Sequence, residues 1–211
     1  MVSSLILLPW LAVMGQVPTP ANPLPPEIAN WKDPGYNKIG WAHSPNFNAR
    51  PAGTEIDLII LHHTANSSLT GVVKWFGTTE SQVSSHFTVG KDGSIAYHVS
   101  NWDRAWHAGN SRDHQGRTNL NNNTVGIEIV NKGDGNDPWT EPQVKAVANL
   151  CAFLVRHRFP QVRAILSHEF IAVPPGRKPD PKNYPWESLR FLNVPLIFGR
   201  SDQPAPVGSD R

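Results

Sequence analysis

Two short apolar segments of this chain run into histidine. Ile56–Leu61 (IDLIIL) meets His62 and His63, and Arg163–Ser167 (RAILS) meets His168. Twelve residues beyond His168 lies Asp180, in a loop stiffened by Pro174, Pro175, Pro179 and Pro181. Successive side chains on a strand point to opposite faces, so His62 and His63 cannot both face one ligand. One of them is a ligand candidate and the other packs. Two imidazoles and one carboxylate are three N/O donors. They leave a fourth tetrahedral position open, the pattern of a catalytic zinc site. Zinc in such a site lowers the pKa of its water to about 7 and polarises a carbonyl. A lone histidine at a strand end is more often structural, so the set draws its weight from its neighbours.

Glu128 is one such neighbour. In Thr124–Val130 (TVGIEIV) the alternation puts Val125, Ile127 and Ile129 on one face and Gly126, Glu128 and Val130 on the other. A carboxylate there costs free energy to bury unless it is paired or faces a wet cleft. It is either an ion-pair partner of a nearby Arg or Lys, or a general base. Lys178, two residues before Asp180, is a natural cation for a developing oxyanion, or else a solvated loop lysine.

The elements that must position these groups alternate. IDLIIL is rich in β-branched residues and suits a central strand buried on both faces. Ser67–Phe76 has helical spacing. Ser85–Val89 and Ser94–Val99 flank Lys91-Asp92-Gly93, a hairpin signal. Thr124–Val130 is a further strand. Thr140-Glu141-Pro142-Gln143 fits a capping box with proline near the helix start. Val144, Val147, Cys151, Leu154 and Val155 then continue at helical spacing to about Phe159, which makes Cys151 a small core residue. The expectation is an α/β fold: a single domain with a central mixed β-sheet flanked by helices, over residues 54–192, behind a Pro-rich N-terminal arm.

Composition agrees with one packed domain. Of 211 residues, 39% are hydrophobic and 17% charged, enough apolar surface for a core. A net charge of +2 is too balanced to indicate a nucleic-acid or membrane-surface binder. The one cysteine rules out an intrachain disulfide and a cysteine zinc finger. Leu5–Met14 is apolar but too short to span a bilayer comfortably. Residues 1–16 therefore resemble a secretory signal, although no Lys or Arg precedes the run, and the expected location is periplasmic or extracellular. Residues 17–53, with eight prolines between Val17 and Pro51, are expected to be an extended linker and arm. Residues 193–211 are expected to be a tail, disordered at its end. A monomer is expected.

The order of motifs resembles a family. His62-His63-Thr64-Ala65, Ser85-His86-Phe87 ahead of Lys91-Asp92-Gly93, Ala105-Trp106-His107-Ala108-Gly109, Val125-Gly126-Ile127-Glu128 and Ser167-His168 with Pro175-Gly176-Arg177-Lys178-Pro179-Asp180-Pro181 occur as in zinc-dependent N-acetylmuramoyl-L-alanine amidases of type 2, relatives of peptidoglycan recognition proteins. The likeness covers about residues 40–190. Ser44-Pro45-Asn46-Phe47 and Ala49-Arg50-Pro51 also look like the lead-in of exported bacterial members. The resemblance implies Zn2+ held by His62, rather than His63, with His168 and Asp180. It implies Glu128 as the catalytic glutamate, Lys178 as the oxyanion lysine and His107 in the substrate groove. Trp106 beside it is the best candidate for a sugar platform. The implied substrate is peptidoglycan or a muropeptide, cut between N-acetylmuramic acid and L-alanine.

Two departures stand out: Ser85 replaces a tyrosine that some members use in catalysis, and the stretch around Ile171–Pro174 is long. The alternatives are a non-catalytic peptidoglycan-binding module of the same fold, and a closed structural zinc site recruiting His63 or His86. His86 is expected to be buried and hydrogen-bonded. His98, His114 and His157 are expected at the surface. Asn119–Asn123 is a polar loop that either contacts substrate or has no role there.

Overall fold

The IDLIIL run lies at the centre of the molecule. The computed structural model describes residues 39–202. In it β3 (Leu58–His63) is flanked in parallel by β7 (Thr124–Ile129) and β8 (Ala164–Ser167). Beyond β7 come β4 (Phe87–Val89), parallel to it, then β5 (Ile95–Tyr97), then β1 (Ile39–Trp41). Beyond β8 comes β9 (Leu196–Ile197). The seven-stranded order is β1-β5-β4-β7-β3-β8-β9, and only the β4–β5 pair, the expected hairpin, is antiparallel. A separate two-stranded ribbon joins β2 (Phe47–Ala49) to β6 (Asp103–Ala105).

Alternation along these strands makes the two faces chemically different. Ile59, Leu61, Phe87, Val89, Ile95, Tyr97, Val125, Ile127, Ile129 and Ile165 share one buried cluster with Val147, Leu150, Cys151 and Leu154. The last four come from α2 (Glu141–Phe153) and the π-helical turn Leu154–Arg158 that follows it. The other face carries a smaller cluster, with Leu58, Ile60, Ala164, Leu166 and Ile171. Its register places Leu58, Ile60 and His62 beside Thr124, Gly126 and Glu128.

Local signals set the helix ends. Ser68 caps α1 (Leu69–Phe76) by accepting from Gly71 N at 3.0 Å. Thr140 caps α2, with Gln143 N donating to its hydroxyl. The second half of the expected capping box does not form. The buried Gln143 amide instead donates to Val130 O, at 2.8 Å, and to Val89 O, closing the ends of β4 and β7. Ser167 caps the single-turn α3 (His168–Ile171).

The sheet reaches past both limits of the 54–192 domain. Proline is absent between Pro34 and Pro45, so β1 keeps the N–H groups it needs to pair, and Ile39 and Trp41 pack on the main core. At the other end Phe198 stacks on Trp186 at 4.7 Å and fixes β9. Ser44 and Asn46 are buried clasps: Ser44 Oγ donates to Phe76 O, and Asn46 Nδ2 donates to Thr78 O. Arg50 donates to the carbonyls of Asn101, Asn121, Asn122 and Thr124. The expected signal (1–16), the Pro-rich part of the arm up to residue 38, and the tail from residue 203 lie outside the described residues. Among the described residues no helix is long and apolar enough to cross a membrane.

Candidate active site

Strand ends bring the donors together. His62 is the penultimate residue of β3, His168 opens α3 directly after β8, and the proline-stiffened loop returns Asp180 to the same point. His62 Nδ1 and His168 Nδ1 lie 2.8 Å apart, His168 Nδ1 and Asp180 Oδ2 3.0 Å, and His62 Nδ1 and Asp180 Oδ2 3.4 Å. Donors about 2.0–2.1 Å from a tetrahedral zinc stand roughly 3.3 Å from one another, so this triangle is close to the size such an ion requires. All three residues are buried, and among the described residues they are the group that could hold a metal ion. The donor chemistry fits as well: two nitrogens facing each other beside a carboxylate are repulsive unless a proton or a cation lies between them.

Each remaining ring nitrogen has a partner. His62 Nε2 lies 3.0 Å from His107 Nδ1, and His168 Nε2 3.2 Å from Ala108 O. Burial, with His168 nearby, pushes His62 down to about 4, so it is neutral and able to ligate. Burial alone would raise Asp180, but hydrogen bonds with His168 and His62 outweigh it and hold the carboxyl well below the usual range.

Glu128 is paired in register with His62, on the same face of the next strand. Among the described residues its buried Oε2 has no hydrogen-bond partner. Burial, reinforced by Asp180 and opposed by Lys178, pushes the carboxyl up to about 8. The alternative of a direct ion pair is not what forms. Lys178 is exposed and lines the same groove, a cavity of about 490 Å3. Trp106, His107, Glu128, His168, Pro179 and Asp180 line it too, as do Val72, Trp75 and Val83. Trp106 is half-buried and donates Nε1–H to Asn48 Oδ1 at 2.7 Å.

The other histidines separate clearly. His63 leaves the cluster: its Nδ1 accepts from Lys182 N. His86 is buried, accepting from Gly126 N and meeting Arg50. His114 and His157 are exposed. His98 corrects the surface expectation. It is fully buried, with Nδ1 on Ala42 O and Nε2 accepting from Thr88. Alternation along Ser94–Val99 places it on the polar face, away from Tyr97 in the core, a signal present in the sequence. Ser85 is buried and donates to Phe87 O, turned back on its own strand. Asn121 and Asn123 are buried scaffold groups: Asn121 Oδ1 accepts from His107 N and Ala108 N, and Asn123 Nδ2 donates to Asp57. Sequence reasoning missed Asn121 and Thr124 as neighbours of the site, because the contacts that join them to it are long-range.

Three N/O donors with a carboxyl alongside, open to a groove, are compatible with the donor set of a metal-assisted hydrolase. The N-acetylmuramoyl-L-alanine amidase family matches residues 52–183. The 1,6-anhydro-N-acetylmuramyl-L-alanine amidase AmpD of Haemophilus influenzae is 29% identical over 170 residues, 71% of this chain and 88% of that one. A crystal structure of an AmpD derivative matches with a TM-score of 0.65 at 26% identity, over 77% of this chain and 98% of the other. The amidase AmiD of Escherichia coli is 30% identical over 171 residues, 72% of this chain and 58% of AmiD. Its complex with anhydro-N-acetylmuramic acid-L-Ala-D-gamma-Glu-L-Lys matches with a TM-score of 0.59 at 26% identity, over 69% of this chain and 61% of the other. The chain belongs to the N-acetylmuramoyl-L-alanine amidase family, and hydrolysis of the amide that name specifies is its enzyme activity.

Proposed function

We propose that this amidase is a zinc enzyme whose metal is held by His62, His168 and Asp180, and that its substrates include 1,6-anhydro-muropeptides. The observation that carries the reading is the triangle of donor atoms, 2.8, 3.0 and 3.4 Å on its edges, beside a carboxyl with an unpaired buried oxygen. When bound, the ion supplies a Lewis acid for the scissile carbonyl and lowers the pKa of water at its open position. In its ionised form, which a cation at the donor triangle would favour, Glu128 beside His62 accepts the proton of the attacking water and passes it to the leaving amine of L-alanine. Lys178 reaches over the groove to neutralise charge developing on the carbonyl oxygen. Trp106 offers a ring face to the sugar. Likeness to AmpD, named for the anhydro substrate, and to AmiD, solved with one, supports the choice of fragment. The apolar Leu5–Met14 segment supports an exported location.

Mass spectrometry of products from purified sacculi and from anhydro-muropeptides, with and without a chelator, tests the proposal. Free stem peptides that vanish on chelation are expected. Binding without release would instead indicate the non-catalytic module. Release unaffected by chelation and zinc-free enzyme would remove the metal.

A further inference from the structure

Both imidazole donors of the site lean on one dipeptide step, His107–Ala108. We propose that this step is the positioning frame of the metal site, and that Thr124 and Asn121 are the positioning residues that hold it. The inference rests on the zinc site proposed above.

The polarity of the hydrogen bonds carries the argument. Thr124 Oγ1 lies 2.7 Å from Leu120 O. A carbonyl only accepts, so the single hydroxyl proton goes there. Thr124 Oγ1 must then accept from His107 Nε2, 3.1 Å away. A neutral imidazole has one N–H, which leaves His107 Nδ1 as an acceptor for His62 Nε2–H at 3.0 Å. His62 then keeps its proton on Nε2 and a bare lone pair on Nδ1, the atom that faces His168 and Asp180. On the second limb Ala108 O accepts from His168 Nε2, leaving His168 Nδ1 bare in the same way. Outer partners of this kind fix ring orientation and tautomer in metal sites.

The frame itself is fixed from behind. Asn121 Oδ1 accepts from His107 N at 3.1 Å and from Ala108 N at 2.8 Å. The His107 ring also fills the space above Gly126, where a Cβ would stand 2.5 Å from it. Resemblance places His107 in the substrate groove, and it does line that groove. Both of its ring nitrogens are nevertheless engaged inside the protein, so its reach is toward His62 rather than toward substrate.

Two measurements on the full chain test this. Zinc affinity is read by competition with a chromophoric chelator for the parent, Thr124→Val and Thr124→Ser. Loss of the acceptor in Thr124→Val is expected to weaken binding by about 10–100-fold, and Thr124→Ser, which keeps the hydroxyl, to restore it. Long-range 1H–15N correlation on the zinc-loaded parent is expected to show the His107 proton on Nε2. This readout needs no variant to fold. A parent that binds zinc while Thr124→Val, folded, binds it equally well would overturn the frame and leave the metal site standing. A proton on His107 Nδ1 would do the same. A parent that binds no zinc would overturn both.

Discussion

The two faces of the central sheet are built from the same strands and serve different ends. On one face Ile59, Leu61, Val125, Ile127, Ile129 and Ile165 meet α2 in a dry apolar layer that includes Cys151. On the other, one residue out of step, stand His62, Thr124, Gly126 and Glu128, with His86 and Thr88 in the same buried layer of polar groups. A strand that alternates strictly can thus separate stability from chemistry at single-residue resolution. Ile127 and Glu128 are neighbours in sequence and belong to opposite halves of that division.

Substitutions at that pair sharpen the contrast most. Glu128→Gln removes the proton acceptor and leaves the three donors in place. Turnover is expected to fall about 10²–10⁴-fold with zinc content unchanged, as read by activity and metal analysis on one preparation. Full activity in that variant would take Glu128 out of the reaction. Ile127→Ala should do the reverse: about 2–5 kcal/mol lost in chemical denaturation, with zinc affinity close to the parent's. A comparable loss of zinc binding there would show that the two faces are not separable.

A third prediction concerns pH. The Glu128 carboxyl, pushed up to about 8 from an ordinary 4.5 by burial and by Asp180, holds its proton more tightly in the folded state than in the unfolded one. Metal-free protein therefore loses this contribution to stability as pH rises from about 4.5 to 8. Metal-free Glu128→Gln has no such group, so its stability relative to the parent should climb across that window, by up to about 5 kcal/mol, and then level off. Equal pH profiles for variant and parent would contradict it. The smallest effect belongs to the dry face. The Cys151 thiol, fully buried and raised to about 12, should resist alkylation in native protein and react once it is unfolded.

Much of this division was legible in the sequence because alternation is a local signal. TVGIEIV showed which residues face the core, IDLIIL and RAILS showed two strands ending in histidine, and Asp92-Gly93 marked the one antiparallel pair of the seven-stranded sheet. Resemblance then selected His62 over His63, and the donor triangle is where the chain brings the three residues together. What escaped was set by partners distant in sequence. Gln143 fits a capping box locally, but two strand-end carbonyls claim its amide. Alternation alone puts His98 on the polar face of its strand, but its burial there depends on Ala42 and Thr88, which engage both ring nitrogens. β1 and β9 are short edge strands fixed by segments far along the chain: Trp41 packs on Tyr97, and Leu196 pairs with Ile165. The Asn119–Asn123 run reads as a polar loop, yet its side chains turn inward to brace His107, Ala108 and Asp57.

The central claim is that two imidazole Nδ1 atoms and one Asp180 oxygen share an ion and leave room for water. Anomalous diffraction from zinc-loaded crystals, collected on both sides of the zinc absorption edge, tests it most directly. One peak is expected, about 2.0–2.2 Å from His62 Nδ1, His168 Nδ1 and Asp180, with a non-protein fourth partner. A peak elsewhere, or a shell closed by His63 or His86, would contradict the account.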